Sequence, residues 1–302
     1  MASPQHPVPF VESPWDLHAE TYVLFLNLKT LPPGTYDPLE ASWSDASNGT
    51  FTGGLGAIMI VRYTSTPVGP YDELALIPGS FTVPQPTSTN LNTGIKIPKS
   101  ALRISRIYVS QRTTAYNGRL NWNIPKHLAR FSFSSPPTPS GTPPPSFLSV
   151  KVYAPGSSEG DGVAPFFSVN LRPWKYVPAI PVNLKYLPFK MWHAQPPIPT
   201  PSGFLRAAEQ EIADKREGRT VGEYEVSAKN EVAVMPGTES WRAFDADGTV
   251  KRARGCWVEV VRSETAGEEE GKYFPQELRP WSVGGWCEEA VLKIGKGVEW
   301  KL

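Results

Sequence analysis

One lysine lies in an apolar, proline-containing segment, where an amine can become a nucleophile. Lys126 follows Pro125 and is close in sequence to Ile124 and Leu128. Burial among such neighbours disfavours the ammonium form and lowers the pKa of a lysine below its ordinary value of ~10.4. Because only the neutral amine attacks a carbonyl carbon, we expect Lys126 to be buried and uncharged. The segment alone also fits a surface lysine whose stem lies on apolar residues.

A second segment places carboxylates after a Gly-Pro turn. Gly69–Glu73 reads Gly-Pro-Tyr-Asp-Glu and joins two apolar runs. Glu73 opens the second run, so its side chain is predicted to face the interior of a sheet, where a carboxylate can position or protonate a reacting carbon. The alternative is a polar turn in which Asp72 and Glu73 both face solvent.

The order and internal spacing of these two segments resemble the acetoacetate decarboxylase superfamily, in which a Gly-x-Tyr-x-Glu turn precedes a Gly-Arg-x5-Pro-Lys segment. Gly69–Glu73 and Gly118–Lys126 match the two patterns, and the match is firmest over Ala57–Phe133. The resemblance implies a mainly β fold, a cone-like antiparallel β-barrel with an apolar interior and few short helices. It places the Schiff-base lysine of the family on Lys126 and an active-site glutamate on Glu73.

The resemblance further implies a carbon–carbon lyase that needs no cofactor and acts on a small-molecule ketone or β-keto acid. In this chemistry the lysine forms an iminium with the ketone, and the iminium stabilises a carbanion formed by loss of carbon dioxide. An aldolase-dehydratase using the same amine is a second interpretation, and a non-catalytic barrel that binds an apolar small molecule is a third. The resemblance also implies assembly into homo-oligomers. Gly237–Glu259 and Pro280–Ile294 resemble the longer fungal members, which favours a role in secondary metabolism.

The chain departs from the family directly after the lysine, where the decarboxylases have a second lysine and this sequence has His127. In an extended segment, neighbouring side chains point to opposite faces, so Lys126 would share a face with Ile124 and Leu128 while His127 points away. In a turn, His127 would instead reach the site and carry protons. We expect the extended arrangement.

The residues that hold a β-keto carboxylate in the family are also partly replaced. Counting back from Glu73 places Ile58 where the decarboxylases have an acidic residue, and Glu20 lies where they have an arginine. These replacements disfavour acetoacetate itself as the substrate. The candidates for substrate binding are Tyr71, Arg106, Arg119 and His127, and Arg119 is also a candidate for capping the turn.

Composition excludes several other classes of protein. The 302 residues carry 30 basic and 29 acidic side chains, a net charge of +1 that gives no electrostatic footprint for nucleic acid or an anionic membrane. The apolar runs are too short to span a bilayer, and no secretory signal is evident. Cys256 and Cys287 are far apart in sequence and form no metal-ligand cluster, so we expect free thiols and a cytoplasmic protein.

The 33 prolines oppose long helices and favour strands separated by turns. Helical spacing of apolar residues is convincing only over 203–218. Proline-rich loops are predicted at 134–146 and 195–203, and the whole chain, 1–302, is predicted to form one domain. Strands are predicted at Tyr22–Leu28, Gly56–Tyr63, Leu74–Ile77, Arg103–Val109, Leu128–Phe133, Phe147–Tyr153, Phe166–Leu171, Val182–Met191, Arg252–Val261 and Ala290–Ile294.

Overall fold

The computed structural model describes residues 6–86, 97–186, 191–262 and 268–302, and it confirms a mainly β chain. The predicted strand Val182–Met191 falls partly outside the described residues, at 187–190. Within the described ranges the strands are β1 (Trp15–Leu28), β2 (Phe51–Ser65), β3 (Tyr71–Ile77), β4 (Ser80–Thr82), β5 (Ser100–Leu102), β6 (Arg106–Val109), β7 (Lys126–Leu128), β8 (Arg130–Phe133), β9 (Leu148–Tyr153), β10 (Phe167–Pro173), β11 (Ile180–Asn183), β12 (Trp192–Gln195), β13 (Trp241–Val260), β14 (Val283–Ile294) and β15 (Val298–Trp300).

The described helices are α1 (Arg112–Trp122), α2 (Phe204–Arg216), α3 (Ala228–Val232) and α4 (Glu268–Tyr273), with 3-10 turns at Pro38–Ser44, Ala46–Asn48 and Leu184–Tyr186. Helix α2 confirms the helix predicted over 203–218. The prediction that no other segment is convincingly helical is wrong, because α1 runs for 11 residues immediately before the lysine segment.

Seven strands are connected by successive pairing. β2 pairs with β1, β1 with β14, β14 with β13 and β13 with β12. The path continues from β12 to β5, from β5 to β4 and from β4 back to β2. We call these seven strands the ring. On the same edge of β2 as β4, strand β3 starts a branch that continues through β6 to β7.

The side chains of β3 alternate between two cores, as the period of a strand requires. Tyr71, Ala75 and Ile77 pack into one core, while Leu74 and Leu76 pack into the other. Glu73 falls with the first set in this alternation, so its carboxylate lies on the same face as Tyr71 and Ala75, which we call the inner face. Glu73 is buried on this face, at 7% exposed.

Helix α1 is the crossover that brings β7 beside β6. Those two strands are parallel, and a parallel pair cannot be joined by a tight turn. Gln111 caps the start of α1 by accepting a hydrogen bond from the backbone N–H of Thr114, and Asn123 ends it in the left-handed conformation, with φ of 56°. The left-handed residue turns the chain back toward the sheet, so that Lys126 opens β7 directly beside Ile107.

The proline-rich loop 134–146 is tied to the sheet through the side chain of Glu20. The buried Glu20 carboxylate accepts hydrogen bonds from the backbone and hydroxyl of Thr138, at 2.8 and 2.7 Å, and from the indole of Trp286 at 2.8 Å. Glu20 therefore fixes the loop. Among the residues described, no helix has the length and apolar character needed to cross a membrane.

Candidate active site

Lys126 is buried, at 3% exposed, and its ammonium group has three hydrogen-bond acceptors. It donates to Glu73 Oε2 at 3.0 Å, to Thr114 Oγ1 at 2.9 Å and to the hydroxyl of Tyr71 at 3.4 Å. An ammonium has three N–H donors, so the site satisfies all of them. The structure therefore joins the two segments that the sequence singled out, through side chains 53 residues apart.

The other oxygen of the Glu73 carboxylate is also engaged. Glu73 Oε1 accepts a hydrogen bond from the hydroxyl of Tyr63 at 3.2 Å. Tyr63 and Tyr71 are paired across β2 and β3, and their ring centroids lie 4.5 Å apart. Together the two tyrosines, Glu73, Lys126 and Thr114 form a continuous hydrogen-bonded group inside the protein, which we call the lysine cluster.

The expectation that burial leaves Lys126 uncharged is wrong for the unliganded chain. Burial lowers the pKa of Lys126, but the Glu73 carboxylate and the Tyr71 hydroxyl outweigh it and raise the pKa above its ordinary value. Burial likewise raises the pKa of Tyr71, which therefore stays protonated at neutral pH. The resting site holds an ion pair, and the amine becomes nucleophilic only after its proton moves to another group.

Gln111 aligns the parts of the lysine cluster. Its side chain is fully buried, donates to the backbone carbonyl of Val68 at 2.6 Å and accepts from the N–H of Thr114 at 3.2 Å. It thus fastens the β2–β3 turn, where Gly69 has φ of 89°, to the first turn of α1. Thr114 was not found from the sequence, because its role depends on a helix whose residues give little helical signal.

Gly118 gives the lysine stem its space. A Cβ atom at this helical position would lie 2.7 Å from Cδ and 2.8 Å from Cε of Lys126, closer than such atoms approach in proteins. We expect Gly118→Ala to displace the amine and lower turnover, while the change to alanine favours the helix by up to about 1 kcal/mol. Steady-state kinetics and a thermal melt check this, and Gly297→Ala, which has space for a Cβ, is the control. Unchanged turnover would contradict the prediction.

His127 points away from Lys126, as predicted for an extended segment. Its Nε2 lies 2.9 Å from Glu40 Oε2, and its Nδ1 lies 3.4 Å from Glu231 Oε1. Burial alone lowers the pKa of His127, but the two carboxylates outweigh it and raise the pKa to about 10. Since both ring nitrogens face acceptors, the imidazole is doubly protonated and carries a positive charge at neutral pH.

The charge on His127 makes a pH-dependent contribution to stability. Because the folded pKa of about 10 lies above the unfolded value of ~6.5, the contribution is complete below pH ~6.5 and is lost as pH rises through 10. We expect His127→Gln to lower the free energy of unfolding by about 2 kcal/mol at pH 6 and by progressively less toward pH 10.5. Urea unfolding at several pH values measures this, and a pH-independent loss would contradict it.

Arg119 contacts the backbone of Lys126 and of two distant prolines. Its guanidinium, which is fully buried, donates to Glu40 at 3.2 Å, to the carbonyls of Pro236 and Pro199 at 3.0 and 2.7 Å, and to the carbonyl of Lys126 at 3.5 Å. These partners give Arg119 a structural position, in agreement with the capping role considered above.

The candidate Arg106, and the position of Ile58, lie on the opposite face from the lysine cluster. Arg106 pairs with Leu76 and donates to the hydroxyl of Tyr108 and to the carbonyls of Tyr36, Lys272 and Tyr273. Ile58 packs in the core that contains Leu76, so the position counted back from Glu73 does not face the lysine. Of the predicted site residues, the structure therefore brings together Lys126, Glu73 and Tyr71, but not Arg106 or His127.

Within the described residues, Asp37, Glu40 and His127 form a group whose ligand atoms lie within 4.8 Å of one another. Glu40 and His127 are already bound to each other, and Glu40 also receives Arg119. A metal ion would have to displace the protonated imidazole, and the buried guanidinium nearby would repel it. These residues therefore suit a buried ion-pair network better than a metal centre.

A polar cleft of about 960 Å³ borders the lysine cluster at the β2–β3 turn. Tyr63 and Tyr71 line it, and so do the charged side chains of Arg62, Arg130 and Glu159. The two tyrosines also bind Glu73 and Lys126. This cleft is therefore next to the amine.

Comparison with protein-family models gives no match, and comparison with curated proteins gives none either. Solved structures do match. The acetoacetate decarboxylase of Legionella pneumophila is similar over 99% of this chain and 92% of its own, with 11% sequence identity and a TM-score of 0.54. An acetoacetate decarboxylase-like enzyme from Sphingomonas wittichii RW1 is similar over 96% and 94%, with 10% identity and a TM-score of 0.52.

MppR, an enduracididine biosynthesis enzyme, is similar over 96% of this chain and 90% of its own, with 11% identity and a TM-score of 0.51. That structure holds the condensation product of pyruvate and imidazole 4-carboxaldehyde. Because the identities are so low, the likeness concerns the fold. The chain has the acetoacetate decarboxylase-like fold, in agreement with the fold that the two sequence segments implied.

Proposed function

We propose that the chain is a Schiff-base-forming carbon–carbon lyase that acts on a β-keto acid or related ketone, with Lys126 as the nucleophile and Glu73 as its proton partner. The observation that carries this proposal is a buried amine held 3.0 Å from a carboxylate on the inner face of the sheet. The ring of paired strands supports the further proposal that the fold encloses its interior as a cone-like barrel.

The ion pair supplies the proton movements that the reaction needs. Glu73 takes one proton from the Lys126 ammonium, and the freed amine attacks the ketone carbon. Glu73 then returns that proton to the former carbonyl oxygen, which takes the second N–H proton as well and leaves as water. The ammonium and ketone thus become a protonated imine and water, with no change in net charge.

The positive iminium then drives bond cleavage. The electrons of the carbon–carboxylate bond move toward the iminium nitrogen, carbon dioxide leaves and a neutral enamine forms. The enamine carbon takes a proton from solvent, and water then hydrolyses the resulting iminium, which releases the ketone and restores the Lys126 ammonium. Tyr63 and Thr114 hold Glu73 and Lys126 in place through these steps, because each donates to or accepts from one of them.

Borohydride trapping tests the proposal. The protein is incubated with acetone, acetoacetate or a longer 3-oxo acid, reduced, digested and analysed by mass spectrometry. We expect a reduced adduct on Lys126, and none at that position in Lys126→Met. A comparable yield on exposed lysines such as Lys251 and Lys301, without enrichment at Lys126, would contradict the proposal.

A second candidate is an aldolase-dehydratase that uses the same amine. The observation favouring it is the similar fold of MppR, whose structure holds the condensation product of pyruvate and imidazole 4-carboxaldehyde. Incubation with pyruvate and an aldehyde separates the two candidates. A condensation product without carbon dioxide release supports the aldolase-dehydratase, and carbon dioxide release from a 3-oxo acid supports the decarboxylase.

A further inference from the structure

A cavity of about 940 Å³ is lined by every strand of the ring, and we call it the lumen. It is near the upper end of the range of roughly 300–1,000 Å³ found for small-molecule sites. A four-carbon keto acid would leave most of it empty. Each strand of the ring contributes at least one lining residue: Thr21, Met59, Ser80, Leu102, Trp192, Val250 and Ala290.

The lumen surface suits a hydrocarbon. Among the lining residues that the structure describes, Arg254 alone is charged, and its Nε donates to Glu288 at 2.8 Å. Cys287 also lines the lumen, and burial raises the pKa of its thiol to about 11. The thiol is therefore neutral at physiological pH and adds to the apolar surface. The polar cleft at the β2–β3 turn, with its two arginines, lacks this character.

One lining group, the hydroxyl of Thr21, lacks a hydrogen-bond partner among the described residues. Thr21 is only 4% exposed, and its hydroxyl is buried. Buried hydroxyls are normally hydrogen-bonded, because leaving one unpaired is unfavourable. An oxygen on a ligand in the lumen would satisfy it.

The lumen and the lysine cluster lie on one face of the sheet. Thr21 pairs with Val61, and Val61 pairs with Glu73, which places Glu73 two strand spacings from the lumen wall, about 10 Å. A parallel row joins Met59 to Lys126 through Ala75 and Ile107. Directly paired residues share a face, so the lumen wall and the lysine cluster lie on the same face of the sheet, joined by these two rows.

We infer that the lumen binds the apolar chain of the substrate, and that the substrate class is a ketone or β-keto acid with a long aliphatic or aromatic chain. Where the chain of the substrate carries an oxygen, the hydroxyl of Thr21 supplies a hydrogen-bond partner for it. Met59 lines the lumen and is paired with Ala75, the first residue of the row that leads to Lys126. The inference rests on the proposed function for the reaction, but binding in the lumen does not require it.

Calorimetric titration of 2-alkanones, from butanone to undecan-2-one, tests the inference. We expect the affinity to rise about fourfold for each added methylene, until the lumen is filled. Ala253→Trp places a large side chain in the lumen and is expected to lower the affinity for undecan-2-one at least tenfold. Lys251→Trp on an exposed position of the same strand, and Ser132→Trp in the polar cleft, are matched controls and are expected to bind normally.

Thr21→Val provides a test that leaves the lumen volume almost unchanged. We expect this variant to lower the affinity for decan-1-ol about fivefold and to leave the affinity for 1-decene unchanged, since only the alcohol can form a hydrogen bond with the hydroxyl of Thr21. An affinity independent of chain length, or loss of binding in Ser132→Trp with normal binding in Ala253→Trp, would overturn the inference.

The two proposals fail in different ways. Chain-length-dependent binding that persists in Lys126→Met, without any trapped adduct in the unaltered chain, supports the lumen and overturns the lyase. An adduct on Lys126 with butanone, combined with equal affinities for short and long ketones, supports the lyase and overturns the lumen.

Discussion

Replacing Glu73 with glutamine is expected to lower turnover by about 10²- to 10⁴-fold, because the reaction loses the group that moves the lysine proton. The same change is expected to lower the pKa of Lys126. Burial then acts on the amine without its strongest opposing contact, the Glu73 carboxylate. The amine of Glu73→Gln should therefore be neutral at a lower pH than in the unaltered chain, although the enzyme is slower.

These opposite changes are measured in one set of experiments. The rate of acetylation of Lys126 is followed by mass spectrometry from pH 6 to pH 11, beside the rate of carbon dioxide release. Glu239→Gln is the control, since Glu239 forms an exposed ion pair with Lys301 at 3.1 Å. A pH midpoint of acetylation that stays the same in Glu73→Gln would show that the carboxylate does not hold the lysine proton.

Replacing Arg119 with methionine is expected to lower the free energy of unfolding by about 3–5 kcal/mol, because it leaves the Glu40 carboxylate in a fully buried position with one partner fewer. The carbonyls of Pro199 and Pro236 also lose the hydrogen bonds that Arg119 donates to them. The exposed Arg172, which lies 3.8 Å from Glu259, is the control, and its change to methionine is expected to cost less than about 1 kcal/mol.

A double variant separates the ion pair from simple packing. If Arg119 and Glu40 stabilise each other, Arg119→Met combined with Glu40→Gln costs less than the two single changes added together. Urea unfolding of the four proteins gives the coupling free energy. Strict additivity would contradict the buried pair as the source of the loss.

The meeting of Lys126 and Glu73 was predictable from the sequence, because both residues lie in segments whose order resembles a known family. The charge on the lysine was not. Its apolar neighbours, Ile124 and Leu128, are visible in the sequence, whereas Glu73 reaches the amine only after β3, β6 and β7 align. Local composition therefore gave the burial correctly and the pKa in the wrong direction.

Helix α1 and its Thr114 were missed for a different reason. The helix contains two threonines at its start and Gly118 in its interior, all weak helix formers. It is held by buried contacts from distant residues, such as Asn117 with the carbonyl of Pro9 and the N–H of Val11, at 3.0 and 2.7 Å. The partners of His127, which are 87 and 104 positions away, were equally out of reach of a local pattern.

Strand β7 stands at one end of the strand order, and such edges invite pairing with another molecule. Side chains occupy this one: the N–H of Leu128 donates to Glu231 at 2.8 Å, and the carbonyl of Lys126 receives Arg119. Glu231 and Arg119, which contact the charged groups of His127 and Glu40, thus also occupy the backbone groups at which a strand of another molecule would pair with β7. Loss of Glu231 would therefore leave the buried N–H of Leu128 without its acceptor, in the strand that carries the reactive amine.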